Sequence, residues 1–541
     1  MLVFCVIVYM VGTVAVGLWA ATRVKDSKDF MVAGRSLPLY MNFACVFATW
    51  FGAETVLSVS AKGATQGLGF VSGDPFGASL CLMLVAFFFA RTFYRLNMLT
   101  IGDYYHIRYG KFVEIVTSLG IAASYFGWTS AQLSALGLVI NVLFPDYLTL
   151  NQSIIVGAAV VTVYTMFGGM WSVALTDVIQ TAAIIIGLII VALLMGDKAG
   201  GIGAVIDHAH SAGKLNLFPH VTAAAWLVFI GEFLTMALGS IPQQDVFQRV
   251  TSARDEKTAV IGTAGGGLFY FVFAFVPMFI AYAATMIDPA QLAKLGGDEA
   301  REVQQILPTL VLKSTPIWCQ VLFFGALLSA ILSTASGTVL APASILTENV
   351  LREFLGRLNL SDRAMLRTLR CLLVVVAIAS AAMSVTSNKT MYEMVEAGYS
   401  VTLVIAFVPL VCGVYWSRST TQGAVVSIVL GVLVWLGVMR AQDQVLSPIL
   451  EAEEALRTIA TVFGVFGTIG PSLTTPTSEM TSIFAGSIEL SKPLWTVVPP
   501  QLYGLVASFV GMFVGSLLPN VIKHTQASPE ELARRRSVGG H

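Results

Sequence analysis

The chain has 541 residues, of which 56% are hydrophobic and only 11% charged, with a net charge of zero and a mean hydropathy of +0.79. Soluble domains carry roughly 25% charged residues, so composition excludes a water-soluble globular fold and predicts an all-α integral membrane protein. Zero net charge offers no basic surface for nucleic acid. The six cysteines (Cys5, Cys45, Cys81, Cys319, Cys371, Cys412) lie in or beside apolar runs without CxxC spacing, so they read as small apolar residues.

Apolar runs near the 20 or so residues that span a bilayer occur at 2–21, 40–64, 69–90, 112–144, 152–168, 173–196, 223–244, 259–286, 317–349, 371–386, 398–416, 420–439 and 498–519. These predict about thirteen transmembrane helices. The first run has no basic n-region and no small-residue cleavage site, so it reads as a retained helix rather than a signal peptide. With the N-terminus outside, the inner loops hold 21 Lys and Arg and the outer loops nine, three of the inner ones at 245–258. Basic residues stay on the cytoplasmic side, so an outside N-terminus and a cytoplasmic C-terminus in the plasma (inner) membrane are expected.

Residues 1–22 form an extra helix, and the next ten spans divide into five-helix sets at 40–196 and 223–416. An odd number of spans per set makes the second enter from the opposite side, the arithmetic of a 5+5 inverted repeat in secondary transporters. Residues 420–519 then add two accessory helices with a long outer loop at 440–497, and 520–541 form a basic cytoplasmic tail. The leading helix of each set is interrupted. Helix 40–64 carries Ala48-Thr49-Trp50-Phe51-Gly52-Ala53-Glu54-Thr55, and helix 223–244 runs into Gly239-Ser240-Ile241-Pro242-Gln243-Gln244-Asp245. Gly and Pro in a spanning helix free backbone carbonyls, which are tolerated where they line a cavity or bind something.

The run 317–349 contains Ser329, Ser333, Thr334, Ser336, Thr338 and Ser344 with no charge among them. Most hydroxyls in membrane helices bond the carbonyl one turn back. Ser333 and Thr334, with Ala330 one turn earlier, also offer two side-chain oxygens and a carbonyl to one hard cation. Glu54 and Asp177 are acids inside spans and therefore functional candidates. Asp177, near the end of its helix, reads equally as an exposed structural carboxylate, and Glu54 as a partner of Lys62. Glu232 and Asp245 read as solvated or structural groups toward the ends of helix 223–244.

Gly168-Gly169-Met170-Trp171-Ser172-Val173 running into Thr176-Asp177-Val178-Ile179-Gln180, Ile241-Pro242 followed by Phe247-Gln248-Arg249-Val250, and the Ser329–Ser336 cluster resemble the sodium:solute symporter family. Lesser matches are Val32-Ala33-Gly34-Arg35-Ser36 and Gly102-Asp103-Tyr104-Tyr105. Within the family the chain is similar to the choline-transporting branch and its bacterial relatives. The resemblance implies an amino-acid-transporter-like fold and Na+ as the coupling ion. It places a sodium site at the carbonyls of Ala48, Phe51 and Ala330 and the hydroxyls of Ser333 and Thr334. It places a second ion at Asp177 and Ser336, although Gly337 stands where a relative has serine. Trp50 and Trp128 match two aromatic residues that surround a quaternary ammonium, while Gln243 and Ala78 replace two others. A cage with an amide and an extra acid, Glu54, points to a small amine-bearing solute, zwitterionic or cationic. Trp50 and Trp128 also read as packing residues.

The expected function is sodium-coupled import of that solute through the lipid bilayer by alternating access. Proton coupling through Asp177 or Glu54 is the alternative. A channel fits less well, because the polar residues converge at mid-depth instead of forming a continuous stripe. No histidine falls within the spans and no nucleophile–base pair is evident, so an enzyme is not expected. No GxxxxGK[ST] loop is present for ATP.

Overall fold

A computed structural model describes residues 2–24, 26–219, 222–289, 304–352, 362–467, 493–519 and 521–522. Within them the chain is helical, and its one bridge of extended backbone joins Leu37 to Ala253. In chain order the main helices are α1 (Leu2–Ala20), α2 (Leu39–Trp50), α3 (Glu54–Gln66), α4 (Ser72–Leu96), α5 (Lys111–Leu143), α6 (Leu150–Lys198), α7 (Ala223–Gly239) and α8 (Gln244–Ser252). There follow α9 (Glu256–Ile287), α10 (Ile317–Leu351), α11 (Asp362–Thr386), α12 (Met391–Tyr415), α13 (Thr421–Gly467) and α14 (Pro500–Leu517). Ten helices among the described residues are long and apolar enough to cross a bilayer, or twelve if each bent pair counts as one span, and Leu150–Val163 is a shorter apolar helix.

The two leading helices are broken as their sequences predict: α2 and α3 meet at 54°, and α7 and α8 at 47°. The fifth and sixth predicted spans are the two helical segments of α6, joined at a kink at Gly169. Gly169 has φ 51° and ψ −142°, and a Cβ there would stand 2.5 Å from the Phe30 carbonyl oxygen, so both conformation and space require glycine.

Helix α10 lies at the centre. Every residue from Ala326 to Ile345 is buried, and it packs against α6 and α5. A helix covered on all sides belongs in the core of a bundle. The first broken helix packs its α2 half on α9 and α6, which brings the break against α10. Leu37 N–H donates to Ser252 O and Arg254 N–H to Leu37 O, both at 3.0 Å, tying the start of α2 to the end of α8.

The accessory helices α13 and α14 pack on each other. Within the stretch read as the long outer loop, α13 continues as helix to Gly467; 440–467 is rich in Ala, Leu and Glu, strong helix formers. Residues 468–492 of that loop, and the basic tail apart from 521–522, lie outside the described residues.

Candidate ion and solute site

The site grows from the first break. Phe51 leaves the helical region at φ −84° and ψ 74°, and Gly52 N–H donates to Trp50 O at 3.0 Å. Ala48 O thereby loses the amide that would take it in a continuous helix. Two hydroxyls fill the vacancy: Ser333 Oγ lies 3.1 Å and Thr334 Oγ1 3.2 Å from Ala48 O. The Ala53 N–H, also freed, donates to Gln132 Oε1 at 3.1 Å. A Cβ on Gly52 would stand 2.5 Å from Glu54 Oε2 and 2.9 Å from Thr334 Oγ1, so any side chain here displaces those two groups.

The hydroxyls of α10 now separate into two kinds. Ser329 and Ser344 bond the carbonyls of Gly325 and Leu340 one turn back, and Ser336 and Thr338 bond those of Ser333 and Ala335. Ser333 and Thr334 instead reach across to the break. Ala330 lies one turn before them on the same buried face, and Phe51 is fully buried beside Gly52. The reading of Asp177 as an exposed carboxylate is corrected: it is fully buried, and its Oδ1 lies 2.6 Å from Ser333 Oγ. Its helix, α6, packs along α10, which covers the end that the sequence left open. Ser336 turns its hydroxyl onto Ser333 O instead of toward Asp177.

On the other side of the break stands an aromatic group. Trp50 and Trp128 have ring centroids 6.1 Å apart, and Tyr399 lies 6.2 Å from Trp50 and 5.5 Å from Trp128. Tyr270 meets Trp50 edge-on at 6.5 Å, and Tyr125 stacks on Trp128 at 6.0 Å. The aromatic group is thus larger than Trp50 and Trp128 alone. The tyrosines come from α9, α12 and α5, and no local pattern marks the first two as partners.

Three buried acids hold on to this group. Trp128 Nε1–H donates to Glu54 Oε1 at 3.1 Å, with Gln132 Nε2 on the other oxygen. Tyr270 donates to Asp74, which also accepts from Thr55 Oγ1 at 3.0 Å. Tyr125 donates to Asp245. Gln132 follows Trp128 by four residues on α5, a spacing that identifies it as a same-face neighbour; Asp74 carries no comparable signal. Gln243, at the second break, donates to Ser124 Oγ at 3.0 Å and Thr402 Oγ1 at 3.3 Å.

Several charged groups fall elsewhere than expected. Lys62 pairs with Glu232 at 3.4 Å and not with Glu54. Asp245 is fully buried, because α8 turns inward after Pro242 instead of continuing to the surface. Arg249, counted among the inner-loop bases, is 2% exposed and donates from Nε to Thr49 Oγ1 at 2.9 Å. Among the described residues no lysine or arginine lies within ion-pair distance of Glu54, Asp74, Asp177 or Asp245. A buried carboxylate without a paired cation costs several kcal/mol.

Comparison with known proteins places the family and the fold. The sodium:solute symporter family model matches residues 30–431. The human high affinity choline transporter 1 is 28% identical over 439 residues, covering 79% of this chain and 74% of the relative. The osmoregulated proline transporter OpuE of Bacillus subtilis is 25% identical over 455 residues, covering 79% and 87%. Among solved structures, a Na+-coupled sialic acid symporter in a substrate-bound outward-open state superposes with a TM-score of 0.73 at 17% identity, covering 97% of this chain and 99% of that one. Mhp1, a nucleobase-cation-symport-1 family transporter, gives 0.52 at 14% identity, covering 94% and 98%. The fold is therefore that of these transporters.

Proposed function

This chain belongs to the sodium:solute symporter family, and from that premise we propose that it imports a small amine-bearing solute, cationic or zwitterionic, coupled to sodium by alternating access. The observation that carries the reading is the pairing of Ser333 and Thr334 with the carbonyl that the break frees at Ala48. Sodium is assigned to the carbonyls of Ala48, Phe51 and Ala330 and the hydroxyls of Ser333 and Thr334. Five oxygens without full charge, part of them from an unwound helix, suit a small hard cation that must also leave. Asp177 and Ser336 form the candidate second ion position.

The solute is assigned to Trp50, Trp128, Gln243 and Glu54, with Tyr270 and Tyr399 completing the aromatic wall. Ring faces attract an ammonium by about 2 kcal/mol or more when water is excluded, and Glu54 supplies the counter-charge. Sodium holds the break against α10 in the outward state, solute binds at the two breaks, and release of sodium inside loosens them. One charge through ~100 mV supplies about 2.3 kcal/mol, and a tenfold sodium gradient about 1.4 kcal/mol more. That is enough to concentrate a neutral solute several hundredfold. The assigned location is the plasma membrane, with the N-terminus outside.

A second reading, proton coupling, is favoured by the burial of Glu54 and Asp177 without a lysine or arginine at ion-pair distance. One experiment separates the two. The purified protein is unfolded thermally against a panel of amines, amino acids, betaines and carboxylates, in sodium and in potassium. Stabilisation by an amine that appears only with sodium supports the proposal, since a bound ligand stabilises by mass action. Equal stabilisation in potassium, with a dependence on pH, overturns it in favour of proton coupling.

A further inference from the structure

Arg249 sits between the ion end and the solute end of the site. Its Nε is held by Thr49, next to Ala48, while Nη1 and Nη2 are buried with no partner. The Oδ2 atoms of Asp177 and Asp245 are likewise buried and unpartnered. A buried polar group left unpaired costs about 1–3 kcal/mol, and more when charged. Two orphan nitrogens on one guanidinium therefore face a choice between two orphan carboxylate oxygens.

Two placements point to both as its acceptors. Asp245 precedes Arg249 by four residues on α8, so the two share one helix face, with the acid on the favourable N-terminal side. Nη2 lies 2.5 Å from where a Cβ on Gly337 would stand, and Gly337 is one turn beyond Ser333, the residue bonded to Asp177. Any larger residue at 337 would push the guanidinium out of this position.

We propose that Arg249 couples the two ends of the site, its guanidinium being shared between Asp177 and Asp245 and transferred toward Asp245 when sodium binds. This rests on the sodium assignment above. A cation between Ala48 and Ser333 adds positive charge beside Asp177 and weakens that acid's hold on the guanidinium. Asp245 is the other acceptor. As Arg249 turns to its free Oδ2, the guanidinium offsets the charge of Asp245 and weakens the hydrogen bond that its Oδ1 accepts from Tyr125, whose ring stacks on Trp128 at 17°. Ion binding is thus transmitted to the aromatic wall, and by thermodynamic reciprocity a cation at the wall tightens sodium.

The test uses the full chain labelled with 5-fluorotryptophan. Its 19F spectrum is recorded while sodium chloride replaces potassium chloride at constant ionic strength, with thermal unfolding followed in parallel. The Trp128 resonance is identified by its loss in Trp128→Phe. In the native protein sodium is expected to move that resonance and to raise the unfolding temperature. In Arg249→Gln and in Asp245→Asn the sodium-induced movement is lost while the sodium-specific stabilisation remains. Should Arg249→Gln fail to fold, Asp245→Asn, which keeps the arginine, carries the test. The proposal is overturned if Trp128 responds to sodium in these variants as in the native chain, or if native Trp128 is unmoved while sodium stabilises. Absence of sodium-specific stabilisation in the native protein refutes the sodium assignment itself, a separate result.

Discussion

Ser333 Oγ lies 2.6 Å from Asp177 Oδ1, joining residues 156 positions apart, and the same oxygen lies 3.1 Å from Ala48 O. A hydroxyl has one proton, so it satisfies only one of these acceptors at a time. A cation in this place relieves the conflict. It takes lone pairs from the hydroxyl and the carbonyl and leaves the proton for Asp177.

Ser333→Ala and Thr334→Ala are each expected to raise the sodium concentration for half-maximal stabilisation by about tenfold, the equivalent of ~1.4 kcal/mol. Ser329→Ala is the control, because its hydroxyl bonds Gly325 O and Tyr9. Sodium titrations of thermal unfolding in the three variants check this. An unchanged midpoint in Ser333→Ala and Thr334→Ala removes the site.

Trp128→Ala should weaken binding of the stabilising amine by tenfold or more, since a desolvated cation–π face contributes about 2 kcal/mol. Stabilisation by sodium alone should persist, because none of the five assigned oxygens belongs to Trp128. Trp128→Phe keeps a ring but takes the N–H from Glu54, and should fall between the two. Titration of the amine by isothermal calorimetry measures all three.

Glu54→Gln preserves shape and removes charge. Under sodium coupling it should weaken cationic amines relative to zwitterions while leaving the sodium midpoint in place. Under proton coupling it abolishes pH-driven accumulation instead. Counterflow and uptake in proteoliposomes, run with a sodium gradient and then with a pH gradient, distinguish these outcomes.

Gly52→Ala should destabilise the protein by about 1–3 kcal/mol through overpacking and blunt the response to sodium, since the new methyl meets both Glu54 and Thr334. Gly169→Ala should cost a similar ~1–3 kcal/mol through backbone strain and leave the sodium midpoint unchanged. Gly325→Ala, where nothing stands within 4 Å and the backbone is helical, should be neutral or slightly stabilising. Midpoints of thermal unfolding give the order.

Much of this was legible because the bilayer imposes strong rules on a sequence. Long apolar runs had to be helices, since backbone groups in lipid must be satisfied within the segment. Glycine and proline at 52 and 242 marked the two breaks for the same reason. Adjacent hydroxyls at 333 and 334 stood out in a charge-free run. The stretch 440–467 was less legible, because length and polarity there do not separate an extended helix from a connection.

By itself, then, the sequence determined the class, the helices, the two interruptions and the pair of adjacent hydroxyls in a charge-free run, all consequences of local composition under the demand for satisfied backbone polarity. Only the tertiary structure decided the rest. Burial of Asp177 and Asp245 depends on α6 packing along α10 and on α8 turning inward. The aromatic wall needs Tyr270 and Tyr399 from α9 and α12, and Arg249 became an interior charge rather than a loop base. Those facts rest on contacts between residues far apart in the chain, and local periodicity carries no information about which distant face a side chain will meet.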